Sequence, residues 1–90
     1  MDTQRHFLIA DSSPVLRGLI REVLRWSGFT SSVEAANYGE AETLLFSFPV
    51  DMILMSAQIE GLAFGDPVRR IGRIPGCADK PIMVVPPRVV

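Results

Sequence analysis

Three short apolar runs limit what this chain can become: "FLIA" at Phe7 to Ala10, "MILM" within Asp51 to Met55, and "IMVV" within Pro81 to Val85. Each is four residues long, too short for a core helix, and ends on charged, small or proline residues, the pattern of a strand buried on both faces. Ser32 to Ala36 ("SSVEA") alternates weakly and predicts one further strand. The segments between them carry helical signals. Ser13 can cap and Pro14 fits a first turn, where its missing N–H costs nothing. From there Val15, Leu16, Leu19, Ile20, Val23 and Leu24 recur at helical spacing to about Ser27, with Arg17, Arg21, Glu22 and Arg25 on the other face. Gly28 is the expected left-handed stop. Tyr38 to Phe48 places Ala41, Leu44, Leu45 and Phe48 on one stripe and ends at Pro49. Asp66-Pro67 opens a third helix that carries Val68 and Ile71 to about Arg73, and "IPGCAD" is a loop.

Strand and helix thus alternate three times before a final strand. That order predicts a parallel sheet covered on both faces, with right-handed crossovers. Sites in such folds form at the carboxyl ends of the strands. Here those ends are Asp11-Ser12, Asn37, Ser56-Ala57 and Pro86-Pro87, so Ser56 is expected near Asp11.

The 90 residues predict one domain, 1–90, near the size at which a single core is marginal. Hydrophobic residues make up 48% and charged ones 21%, with a mean hydropathy of +0.27, so some apolar side chains are expected near solvent or under a partner. A net charge of -1 and the lack of a basic run argue against nucleic-acid binding. The N-terminal apolar run is too short for a signal peptide, and nothing approaches a membrane span. One cysteine, Cys77, makes neither a disulfide within the chain nor a multi-cysteine metal site. A cytoplasmic protein is the expectation.

The expected pocket holds one carboxylate, Asp11, and two hydroxyls, Ser12 and Ser56. A divalent cation such as Mg²⁺ asks for more, so no metal is expected. A serine nucleophile needs a base within reach, and the only histidine, His6, starts the strand that Asp11 follows. The segment from Asp11 to Gly18 matches neither the P-loop nor the dinucleotide pattern, so no cofactor is expected.

The ordered series of segments resembles response-regulator receiver domains, the phosphoacceptor modules of two-component signalling. "FLIAD", continued by "SSPVLRGLIREVLRWSGF", is similar to the family's first strand and helix, an apolar run followed by Asp-Asp-Ser-Pro and a helix closing on Gly-Phe. "VEAANYGEAETLL" resembles its second strand and helix, "PVDMILMS" the third strand that ends on the acceptor aspartate, and "VRRIGRIPGCADKPIMVV" the third helix, loop and fourth strand. The resemblance implies a three-layer α/β/α, flavodoxin-like fold with four parallel strands in the order 2-1-3-4, lacking the family's last helix, strand and helix.

The departures shape the functional expectation. Of the family's two metal-holding acids, Asp11 keeps the first place and Ser12 takes the second. The acceptor aspartate falls on Ser56, with Gln58 close behind; a later proline falls on Glu60 and the switch Ser/Thr on Pro86. The strand that carries the family's pocket lysine has no counterpart. The resemblance therefore implies a pseudo-receiver: not an enzyme, independent of phosphorylation, acting through contact with itself or with another signalling protein. An active phosphoacceptor, or the regulatory fragment of a larger signalling protein, is the alternative. The fourth strand is expected at a sheet edge, which invites pairing with another chain. Ile82, Met83, Val84 and Val85 form the candidate interface, with Trp26 as a possible anchor. Met52, Leu54, Ile82 and Val84 are each expected to have a face short of packing.

Overall fold

The computed structural model describes residues 5–62 and 66–85. Its elements in chain order are β1 (His6–Ala10), α1 (Pro14–Trp26), β2 (Ser31–Ala35), α2 (Tyr38–Ser47), β3 (Met52–Ser56), α3 (Pro67–Gly72) and β4 (Ile82–Val85). The strands form one sheet in the order β2-β1-β3-β4, every neighbouring pair parallel, as the strand–helix alternation predicts. The fold is flavodoxin-like, and β4 lies at one edge.

Local chemistry sets the helix ends. The Ser13 hydroxyl accepts from the Leu16 N–H at 3.2 Å, and Pro14 occupies the first turn. Gly28 follows with φ +93, a left-handed conformation in which a side chain would be strained, and so ends α1 cleanly. Asn37 caps α2 through Glu40 N–H, while the Glu40 carboxylate reaches back to the Ala36 N–H, a reciprocal arrangement of the capping-box kind. Asp66 caps α3 by accepting from Val68 N–H at 3.0 Å.

Most boundaries move by one residue from expectation: β1 opens at His6 and not Phe7, β4 at Ile82 and not Pro81, and the helices close at Trp26, Ser47 and Gly72. β2 is Ser31–Ala35 and not Ser32–Ala36, because it takes its register from β1, with His6 opposite Ser31 and Ala10 opposite Ala35. β3 is Met52–Ser56 and not Asp51–Met55. Asp51 stays outside it, its N–H donating to the His6 carbonyl and its carboxylate accepting from the His6 N–H.

Strand alternation divides the sheet into two faces. On one, Leu8, Ala10, Ile53 and Met55 join Tyr38, Ala41 and Leu45 of α2, Ile71 of α3, and Ile59, Leu62, Ile74 and Cys77 from the loops in a continuous core. On the other, α1 packs over β1 and β2. The Phe7 and Phe29 rings meet edge to face with centroids 5.1 Å apart, and Arg17 and Arg21 both bind the Glu34 carboxylate of β2.

Two packing expectations need correction and a third is sharpened. First, Val15, Leu19 and Val23, predicted on the packed stripe of α1, are exposed, and no residue of that helix is fully buried. Its apolar arc is wider than the strip of sheet it covers. Second, Phe48 is half exposed, because α2 ends at Ser47 and the chain turns away. Third, Met52, Leu54, Ile82 and Val84 are half-buried, as a shortage of packing implies, but the shortage falls on both faces of the sheet. The register sets Ile53 against Ile82, Leu54 against Met83 and Met55 against Val84. Ile82 therefore packs against the closed core, and Met83 and Val85 join Met52 and Leu54 on the α1 side.

Candidate functional site

At the carboxyl edge of the sheet, Asp11 and Ser56 each follow one member of the opposed pair Ala10 and Met55, which makes them neighbours on adjacent strands. Parallel pairing brings strand ends of the same polarity to one edge, so this adjacency was available from the order of elements. Ser56 itself is still part of β3, opposite Val85, and the next N–H, that of Ala57, donates to the Val85 carbonyl at 2.9 Å.

Asp11 is the one buried charged side chain among the described residues, 5% exposed. One of its carboxylate oxygens accepts from the Ser13 N–H at 2.8 Å, an Asx-type turn that steers the chain into α1. Its backbone N–H donates to the Ala35 carbonyl, and its own carbonyl accepts from the Arg17 guanidinium. One carboxylate oxygen and both backbone groups of Asp11 thus serve the β1–α1 corner. The Ser12 hydroxyl accepts from the Glu60 N–H at 3.3 Å, and the Ser56 hydroxyl from the Gln58 N–H at 3.2 Å. Gln58 is exposed in the turn after β3. Pro86 lies outside the described residues.

The loop after β3 is tied down by groups that sequence patterning did not single out for this task. The Glu60 carbonyl accepts from the Tyr38 N–H at 2.7 Å. Arg70 of α3 donates to the Leu62 carbonyl at 3.1 Å and stacks over the Tyr38 ring, 4.3 Å from its centroid. These contacts join positions far apart in the chain, and no local motif announces them. Burial pushes the Tyr38 phenol above its ordinary pKa, with Arg70 opposing and Glu42 assisting the shift.

His6 sits at the opposite edge of the sheet, where its Nδ1 lies within hydrogen-bond distance of the Ser31 hydroxyl. It is therefore remote from Ser56, as expected from its place at the start of β1, although it does have a serine partner there. Trp26 is 82% exposed at the end of α1. Met83 is exposed, whereas Ile82, Val84 and Val85 are half-buried. Cys77, expected as a small loop residue, is buried in the closed core.

The solved structures place this arrangement. A response regulator receiver protein from Pseudomonas putida is similar over 100% of this chain and 74% of its own, with a TM-score of 0.79 and 21% sequence identity. The chain has the receiver-domain fold. A response regulator protein from Burkholderia pseudomallei, whose structure has a phosphorylated aspartic acid, a calcium ion and citrate, shares that fold over 96% of this chain and 49% of its own, with a TM-score of 0.73 and 20% identity. No protein-family profile matches the sequence, and no curated protein matches it significantly.

The receiver fold implies a divalent cation at this edge, and the donor set here does not fit one. Hard cations of this kind are held by carboxylates with carbonyls, waters or phosphate oxygens. At the corner between β1 and β3 stands one carboxylate, already engaged by an N–H, beside two hydroxyls that each accept from the backbone. Among the described residues, no three His, Cys, Asp or Glu side chains come together in a ligating group. No helix among them is long and apolar enough to cross a membrane.

Proposed function

We propose that this receiver-fold chain works in two-component-type signal transduction as a pseudo-receiver, through protein contact and without phosphoryl transfer. The observation that carries the reading is Ser56, a hydroxyl at the end of β3 beside Asp11, where phosphoryl transfer on this fold calls for a carboxylate. An alcohol is a weak nucleophile at neutral pH unless a base takes its proton. The hydrogen-bond partner of the Ser56 hydroxyl is the Gln58 N–H, a donor that occupies one of its two lone pairs and removes no proton. Ser12 beside it adds no charge to neutralise a transferring phosphoryl group. The chain is accordingly read as a non-enzyme that needs no cofactor and binds neither nucleic acid nor membrane. The cytoplasm is the compartment this role implies.

Contact then has to come from surface. β4 is an edge strand, and the apolar side chains around it offer burial to another signalling protein or to a second copy. The test is direct. Incubation with acetyl phosphate or a phosphorylated histidine kinase, with Mg²⁺, leaves the intact mass unchanged. A stoichiometric phosphoryl adduct would overturn the reading in favour of an active phosphoacceptor.

A further inference from the structure

The face of the sheet that α1 covers only in part is the most unusual surface of the described molecule. Its uncovered half is a groove of about 530 Å³ floored by Phe7, Met52, Leu54, Met83 and Val85, with Leu19 and Val23 of α1 forming its wall. Along its side runs an apolar ridge on α1: Val15, Leu19, Val23 and Trp26, respectively 71%, 57%, 56% and 82% exposed. On a helical wheel these four fall within one quarter of the circumference, next to the arc of Leu16, Ile20 and Leu24 that rests on the helix's own sheet.

We propose that a second copy of this chain covers this face, the ridge of each copy seating in the groove of the other. The inference rests on the reading that the chain works by protein contact, and it names the partner and the surface.

Three observations select a second copy. First, ridge and groove lie side by side on one face, which is what an isologous interface requires. A two-fold axis along the strands carries the ridge of each copy over the groove of the other and covers both at once. An axis across the strands would set ridge on ridge and leave both grooves open. Pairing through the β4 edges would leave the ridge in water. Second, the area suffices. The four ridge side chains and Met83, 57% exposed, present on the order of 600 Å² per copy, against ~800 Å² per partner in a standard stable interface. The groove floor adds a little more, which puts the contact at the lower end of the size range of specific interfaces.

Third, the charges permit it. Arg17 and Arg21 turn away from the groove and share Glu34, so neither brings an unpaired charge to the contact. Glu22 and Arg25, which flank the ridge, compensate each other at 3.3 Å. A net charge of -1 gives two copies little reason to repel.

The test is sedimentation equilibrium of the full chain from low to high micromolar concentration, with fluorescence read in parallel, since Trp26 is the only tryptophan. The expected result is a rise from one to two chains, with the Trp26 emission moving to the blue over the same range. Leu19→Lys and Met83→Lys, at exposed positions, each weaken the dimer at least tenfold, and together they leave a monomer with an unchanged far-UV circular dichroism spectrum. Phe46→Lys, equally exposed but on α2, leaves the dimer as it was.

A dimer that survives both lysine substitutions would place the contact elsewhere and overturn the inference. So would a monomer at every concentration, including one that binds some other protein on this face. Neither result touches the phosphoryl question, which only an adduct on the chain decides.

Discussion

The two faces of the sheet are built from the same strands, often from adjacent residues, yet they end in different states. In β3, Ile53 and Met55 are fully buried, while Met52 and Leu54 between and beside them are only half covered. The difference is not hydrophobicity, which is alike in all four. It is the cover. α2 contributes three buried residues to the closed face, and α3 and the loops around it add Ile59, Leu62, Ile71, Ile74 and Cys77. On the open face α1 contributes no fully buried residue, and nothing among the described residues lies over β3 and β4 opposite it. A helix is about as wide as two strands, so one helix covers half of a four-stranded face. The apolar patch follows from that geometry, and at Val85, opposite Ser56, it reaches the carboxyl edge of the sheet.

The sharpest way to break this comparison is a pair of truncations one residue apart. Ile53→Ala removes a fully buried side chain from the closed core and is expected to cost about 2–5 kcal/mol, since the packing around it can collapse only in part. Leu54→Ala acts on the groove floor, already half in contact with solvent, and is expected to cost about 1 kcal/mol in the monomer. Urea unfolding at low protein concentration measures both. Equal losses would mean that the faces are packed alike.

Most of the architecture was legible in the sequence, because its signals were local. The four-residue apolar runs, the Ser13-Pro14 and Asp66-Pro67 starts and the Gly28 stop specify elements by themselves, and parallel pairing then brings Asp11 and Ser56 to one edge. What stayed hidden depends on partners distant in sequence. The apolar arc of α1 reads as a core stripe in any helical pattern, and only the width of the sheet beneath it leaves Val15, Leu19 and Val23 uncovered. The faces of Ile82 and Val84 depend on register with β3, which a short apolar run does not contain. At the candidate site the residue types were legible, but their engagement was not. No motif shows that Asp11 turns the chain into α1, or that Ser12 receives the Glu60 N–H.

A smaller effect sharpens the account of the closed face. Arg70 links α3 to the loop after β3 and to α2, through the Leu62 carbonyl and the Tyr38 ring. Arg70→Ala removes both contacts and is expected to destabilise the chain by about 1–2 kcal/mol. Arg70→Met keeps most of the packing while losing the charge, so the gap between the two variants reads the electrostatic part. Thermal unfolding of both, beside the parent chain, makes the measurement.

The closed face has one flaw, and it predicts the smallest effect, one of opposite sign. The Tyr38 ring is buried, and its hydroxyl makes no hydrogen bond of good geometry, although the Glu42 carboxylate lies close enough to help raise its pKa. A buried hydroxyl without a well-formed hydrogen bond costs more desolvation than it recovers, so Tyr38→Phe is expected to stabilise the chain by up to about 1 kcal/mol. The pH dependence follows from the same burial. The folded state raises the phenol's pKa above its unfolded value near 10, because desolvation disfavours the phenolate. The unfolded chain therefore loses this proton first as pH rises. The contribution of neutral Tyr38 is intact below the unfolded pKa and declines as pH climbs from there through the folded pKa. Tyr38→Phe has no proton to lose, so its advantage over the parent should widen above about pH 10 and stay flat from about pH 6 to 9. A parent chain whose stability falls no faster than the variant's in alkali would mean that Tyr38 ionises in the folded state as it does in the unfolded one, and that the closed face admits water at this point.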